Sequence, residues 1–104
     1  MGQIVVVAYR PKPGRDAELL ALTREHHPIL RNEGLVTERP PIISRAGDGT
    51  VVEIFEWVDG GTERAHGNPA VLALWKRYED VCDYVPLTTL PECQSLFAGF
   101  TALN

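Results

Sequence analysis

Residues 3–9, QIVVVAY, are apolar and largely β-branched at both parities. A β-strand sends successive side chains to opposite faces, so a strand with one face in water alternates apolar and polar residues. This one does not alternate. Ile4, Val6 and Ala8 fall on one face and Val5, Val7 and Tyr9 on the other, so the sheet that contains it must be covered on both sides. With 104 residues, the chain reads as one domain, 1–104, with room for a single core but not for separate catalytic and substrate-binding domains.

The rest of the chain supplies one cover and withholds the other. Pro11, Pro13 and Gly14 break the first strand, and from Arg15 the period becomes helical. Leu19, Leu22, His26 and Ile29 or Leu30 share a face that packs on the sheet, while Asp16, Arg24 and Arg31 lie away from it. Pro28 predicts a kink or helix end near His26 and His27, with His27 turned outward. Gly34 suits a C-cap, and Pro40-Pro41 leads into a second strand at 42–46. Asp48-Gly49 is a two-residue hairpin signal. It predicts a third strand at 51–57 in a register that pairs Ser44 with Glu53 and Arg45 with Val52, within diagonal reach of Glu56. In that strand Val51, Glu53, Phe55 and Trp57 share one face, and Val52, Ile54 and Glu56 the other.

Asp59-Gly60-Gly61-Thr62 turns into a short helix holding His66, and Asn68-Pro69 caps and opens a second long helix. Its buried stripe is Val71, Leu74, Trp75, Tyr78, Val81 and Cys82. Residues 84–90 are extended and apolar, 91–94 turn, and 96–103 put Leu96, Ala98, Phe100 and Ala102 on one face; either 84–90 or 96–103 can supply the fourth strand, and the later segment is favoured. The order is that of an α+β, ferredoxin-like βαββαβ unit: an antiparallel sheet with two helices on one face. The other face is left bare. Because the first strand is apolar there too, a homodimer through the sheet face is expected.

Composition excludes several partners. The formal net charge is −4 with scattered Arg and Lys, so no basic stripe exists to follow a phosphate backbone or an acidic membrane, and no nucleic acid is expected. The longest apolar run, from Ile4 to Tyr9, is far short of the roughly 20 residues that cross a bilayer, and RPKPGR follows it instead of a cleavage site. A cytoplasmic protein with no membrane partner is expected. Cys82 and Cys93 form no zinc or redox motif and read as reduced thiols. The His26-His27 pair diverges around its helix with no carboxylate at ligand spacing, and no Gly-rich nucleotide fingerprint occurs, so neither metal nor cofactor is expected.

The hydrophobic first strand running into the PGR turn, the FEW end of the third strand and the spacing W-V-D-G-G-T-E-R-A-H resemble the antibiotic-biosynthesis-monooxygenase family of the dimeric α+β barrel superfamily. Gly60 and Gly61 depart from the polar, helix-favouring residues usual there, and the first strand has no Asn of the kind carried by heme-degrading members, which argues against heme. The resemblance implies a pocket between helices and sheet, and a cofactor-independent monooxygenase acting on a small hydrophobic, aromatic or enolisable ligand. The alternative it carries is a non-catalytic ligand-binding dimer, and an isomerase or lyase is a third reading. His26 and His66 are the candidate bases. Trp57, Glu53, Phe55, Trp75 and Tyr78 are the candidate substrate-binding residues, with the Trp57 N–H orienting a substrate oxygen. A buried His26 also needs a partner, for which Glu53, Glu56 and a backbone carbonyl are the choices.

Overall fold

A computed structural model describes residues 1–104. Nine-residue β1 (Gln3–Pro11) pairs antiparallel with β3 (Val51–Trp57) from Gln3↔Trp57 to Tyr9↔Val51. On its other side β4 (Cys82–Val85) pairs only with the C-terminal half of β1, from Ala8↔Val85 to Pro11↔Cys82. Adding β2 (Ile42–Arg45) and the two-residue β5 (Thr101–Ala102) gives a five-stranded sheet in the order β4-β1-β3-β2-β5. Three helices accompany it: α1 (Asp16–Asn32), the short α2 (Gly61–Ala65) and α3 (Pro69–Val81). This compact antiparallel α+β arrangement is consistent with the ferredoxin-like class.

Helix ends follow the local chemistry. The Asn68 side chain accepts hydrogen bonds from the N–H groups of Ala70 and Val71, Pro69 stands in the first turn, and Gly34 closes α1 at φ +73°. Pro28 neither ends nor breaks α1, which runs unbroken to Asn32. Burial of residues on both sides of it, His26, His27 and Leu30, outweighs the one backbone donor that proline removes.

Two clusters of buried side chains lie between the helices and the sheet. Tyr9, Val51 and Ile43 pack with Leu19, Leu22, Leu74, Tyr78 and Val81 near one end. Leu30, Leu35, Val36, Phe55, Trp57, Ala65 and Val71 pack near the other. The odd-numbered residues of β1 and β3 therefore face the helices. On the opposite face Ala8, Ala46 and Val52 are covered by Leu90, with Leu87, Cys93 and Phe100 against them. The C-terminal segment thus folds back over part of the second face. Ile4 and Ile42 remain half exposed, and Leu96 and Phe97 stand out at 99% and 93% exposure.

Three details correct the expectations from sequence. The β2–β3 hairpin has a three-residue loop, Gly47, Asp48 and Gly49: Ala46 N–H donates to Thr50 O at 2.8 Å, Gly49 N–H returns to Ala46 O, and Gly49 takes φ +92°. The extra loop residue shifts the register by one, to Ser44↔Val52 and Ile43↔Glu53. Glu53 consequently faces an isoleucine across the strand pair, and Glu56 is held not by Arg45 but by Thr37 and Arg39, at 2.8 and 3.1 Å. Second, Cys82–Val85 joins the sheet directly from α3 as the fourth strand, whereas of 96–103 only Thr101 and Ala102 pair, on the far edge. Third, His27 is buried. The segment after α1 bridges Val36 to Trp57 and brings the Arg39 backbone beside the imidazole, covering a helix side that periodicity alone leaves in water.

Candidate functional site

The site grows from one polar residue on the apolar stripe of α1. His26 meets the sheet at Glu53, the third residue of β3, with Nδ1 2.9 Å from Glu53 Oε1. Tyr9, the last residue of the apolar run in β1, donates its hydroxyl to the same oxygen at 2.7 Å. From α3, the Trp75 indole N–H donates to His26 Nε2 at 3.1 Å. An indole N–H can only donate, so Nε2 carries the lone pair and Nδ1 carries the proton, which it gives to Glu53. Three elements thus fix one tautomer. Glu53 is fully buried and its second oxygen, Oε2, has no partner, so the whole polar capacity of this carboxylate acts through Oε1 on Tyr9 and His26.

Aromatic packing holds the imidazole in place. Phe55 and Tyr78 present their rings edge-on to it, at centroid distances of 5.4 and 5.5 Å. Tyr78 also stacks on Tyr9 at 4.8 Å and hydrogen-bonds Thr23. Burial, followed by the charge of Glu53, pushes the Tyr9 and Tyr78 hydroxyls well above the usual tyrosine range. Both stay protonated donors at any physiological pH.

His26 opens on a cavity of about 220 Å³. Its walls are Val5 and Val7 from β1, Phe55 and Trp57 from β3, Trp75 from α3 and Tyr84 from β4, with Tyr9 beside His26. Val5 and Val7 belong to the half of β1 that β4 leaves unpaired. Tyr84 is half exposed, and burial of the rest of its ring pushes its hydroxyl up to about 12. Trp57 is positioned by Gly60 and Gly61. Gly60 adopts φ +72°, and a Cβ on Gly61 would run into the Leu35 carbonyl and press on the Trp57 ring at 3.3 Å. Only glycine lets α2 start this close to the indole.

Of the residues expected from sequence, His26, Trp57, Phe55 and Trp75 line the cavity. Glu53 stands one hydrogen bond behind His26, and Tyr78 packs behind the imidazole without reaching the cavity. His66 is not in the wall. It caps α2, exposed, with Nδ1 on the Thr62 carbonyl at 2.7 Å and its ring 5.1 Å from that of Trp75. Sequence reasoning missed Val5, Val7, Tyr9 and Tyr84 as wall residues. The parity of QIVVVAY already put the first three on one face, and pairing with the Glu53 face of β3 identifies that face as the inner one.

A larger depression of about 420 Å³ lies between α1 and α3, and four of its charged groups pair at the surface, Arg15 with Glu18 at 2.8 Å and Arg77 with Glu25 at 3.2 Å. It contains no buried reactive group. No cluster of three or more His, Cys, Asp or Glu side chains is arranged to hold a metal ion, and no helix is long and apolar enough to cross a membrane. No protein-family model matches the chain, and neither does any curated protein or solved structure.

Proposed function

We propose that the chain is a cofactor-independent, monooxygenase-like enzyme acting on a small aromatic or enolisable substrate. One observation carries this reading: His26, held from behind by Glu53 and bearing its lone pair on Nε2, is the one basic side chain lining an otherwise apolar, largely aromatic cavity. A base so placed takes a proton from an acidic C–H or O–H of a ligand that the rings hold by stacking and burial. The imidazolium formed is stabilised by the carboxylate 2.9 Å away. The cavity exceeds the roughly 150 Å³ that admits benzene, which favours a one- or two-ring core with any remainder reaching past Tyr84.

For an activated methylene compound the overall reaction balances with dioxygen as co-substrate. The methylene loses both hydrogens and becomes a carbonyl bearing one oxygen atom, and the other oxygen leaves as water. The electrons come from the substrate anion, so the protein supplies the base, the orientation and the exclusion of water.

The same reading includes a homodimer. The half-exposed Ile4 and Ile42 and the fully exposed Leu96 and Phe97 are apolar surface that a second copy, packed sheet to sheet, removes from water.

The test is oxygen uptake by chelator-treated protein against hydroquinones, naphthols and hydroxylated anthrones. Uptake that is lost in His26→Gln and retained in His66→Ala is the expected result. Saturable binding of these compounds with no uptake by the wild type overturns the oxygenase reading in favour of a ligand-binding protein.

A further inference from the structure

We propose that the Trp75 indole N–H is a transferable donor. It caps the base in the free protein and passes to the substrate oxygen as that oxygen delivers its proton to His26, so that the site selects neutral, weakly acidic hydroxyl compounds such as phenols and enols. This rests on the reading of His26 as the base.

The argument starts from valence. Nε2 of an imidazole has one in-plane lone pair, and Trp75 already occupies it at 3.1 Å. A substrate hydroxyl can reach that lone pair only by displacing the indole N–H. The displaced donor, part-buried against the apolar wall, then loses its one protein acceptor, which is unfavourable, and the nearest new acceptor is the oxygen that displaced it. When the O–H bond breaks, its electron pair stays on oxygen and the proton forms the N–H bond at Nε2. From that moment His26 can accept nothing from Trp75, while the oxygen has gained a charge. One proton transfer therefore creates the anion and frees the donor that binds it.

Freedom to make this small movement is present on one side only. Trp75 is partly exposed, and its ring lies against the exposed His66, 5.1 Å away. His26 itself is held between Phe55, Tyr78 and Glu53. The indole moves and the imidazole does not.

Charge sets the ligand class. No lysine or arginine lines the cavity, and the nearest full charge belongs to Glu53, directly behind the base. A ligand arriving as a carboxylate or phosphate finds a carboxylate behind the base and no cation to pair with. A phenol or enol arrives neutral and becomes an anion only after its proton has made His26 cationic.

The probe is para-nitrophenol, whose anion is yellow, at a pH where the free phenol is mostly protonated. Binding to the wild type is expected to generate the phenolate band. In Trp75→Phe the phenol still binds, but its bound phenolate-to-phenol ratio falls about tenfold or more, equivalent to about one pKa unit. In His26→Gln the band disappears. A band undiminished in Trp75→Phe yet lost in His26→Gln leaves the base standing and overturns the role of Trp75. A bound phenol that stays neutral in the wild type overturns both. The wild-type protein gives an independent readout that needs no folded variant: in ¹⁵N-labelled protein the Trp75 indole N–H resonance must shift as para-nitrophenol saturates the cavity, and a stationary Trp75 resonance beside shifting cavity residues overturns the proposal.

Discussion

His26 Nδ1 and Glu53 Oε1 stand 2.9 Å apart, and both side chains are buried, so a helix and the central pair of strands are joined at their polar cores by a single oxygen that also receives the Tyr9 hydroxyl. Replacing that carboxylate by an amide removes the negative charge behind His26 while the oxygen at the Oε1 position still accepts from Nδ1–H and Tyr9, so neither the tautomer nor the volume changes. Glu53→Gln puts an amide N–H₂ where Oε2 already lacks a partner. Turnover in the oxygen-uptake assay is expected to fall by about 10²–10⁴, with stability reduced by about 1–3 kcal/mol for the unpaired buried donor. Urea denaturation and initial rates check the two effects separately. Unchanged turnover would remove Glu53 from the site.

His27 predicts an acid-side loss of stability. Burial holds its imidazole below the ordinary histidine range, with His26 and Arg31 adding to the effect and Glu53 opposing it. The folded pKa therefore lies below the unfolded one, and the unfolded chain binds more protons as pH falls. The stabilisation is complete above the unfolded value of about 6.5 and is lost as pH drops through the folded value. Urea midpoints measured between about pH 7 and pH 5 should decline in the wild type and decline less steeply in His27→Asn. Parallel slopes would mean that the imidazole is equally accessible to protons in both states.

Gly61→Ala tests the placement of Trp57. The added methyl meets the Leu35 carbonyl and the indole, so either α2 shifts or Trp57 leaves the cavity wall. A loss of about 1–3 kcal/mol is expected from overpacking, together with weaker binding of para-nitrophenol. Wild-type stability with wild-type binding would show that the α2 turn yields freely.

Light scattering at micromolar concentration should give about twice the 11.5 kDa chain mass. Ile4→Arg places a charge on the half-exposed face without touching the protomer's own core, and should give a soluble monomer. Val5→Arg and Val7→Arg enter the cavity instead and report on ligand binding. A monomeric wild type would exclude the sheet-to-sheet homodimer.

Much of this architecture is written in local pattern, and what escapes it escapes for identifiable reasons. The two-sided run of β1, the stripe of α3 and the Asn68-Pro69 start are short-range signals, and each element stands where they put it. The partnership of His26 with Glu53 was legible as one of a few choices, since a histidine on an apolar stripe must find a polar group and the inner face of β3 offers one. Tyr9 was not linked to it, because that needs the pairing of β1 with β3, a contact between residues far apart in sequence. The hairpin register turned on whether Gly47 belonged to the strand or the loop, a choice of one residue that reverses which side chain faces Glu53. Burial of His27 depends on the segment that returns over α1, and no periodicity within the helix reports that. The fourth strand was misplaced because Val81 and Cys82 continue the apolar stripe of α3, which hides the change of backbone from helix to strand.

The point at which β4 stops has a consequence for how such a site changes its ligand. Pro86, with φ −63° and ψ 146°, has no N–H to extend the ladder along β1, so the sheet runs out of strand beside Val7 and Val5. Cavity shape there is governed by where a strand ends as well as by the size of side chains. Relocating that proline by a residue or two lengthens or shortens one wall while His26, Glu53 and Tyr9, carried by α1, β3 and β1, keep their hydrogen bonds. Ligand size and proton chemistry are in this way separately adjustable properties of the same small sheet.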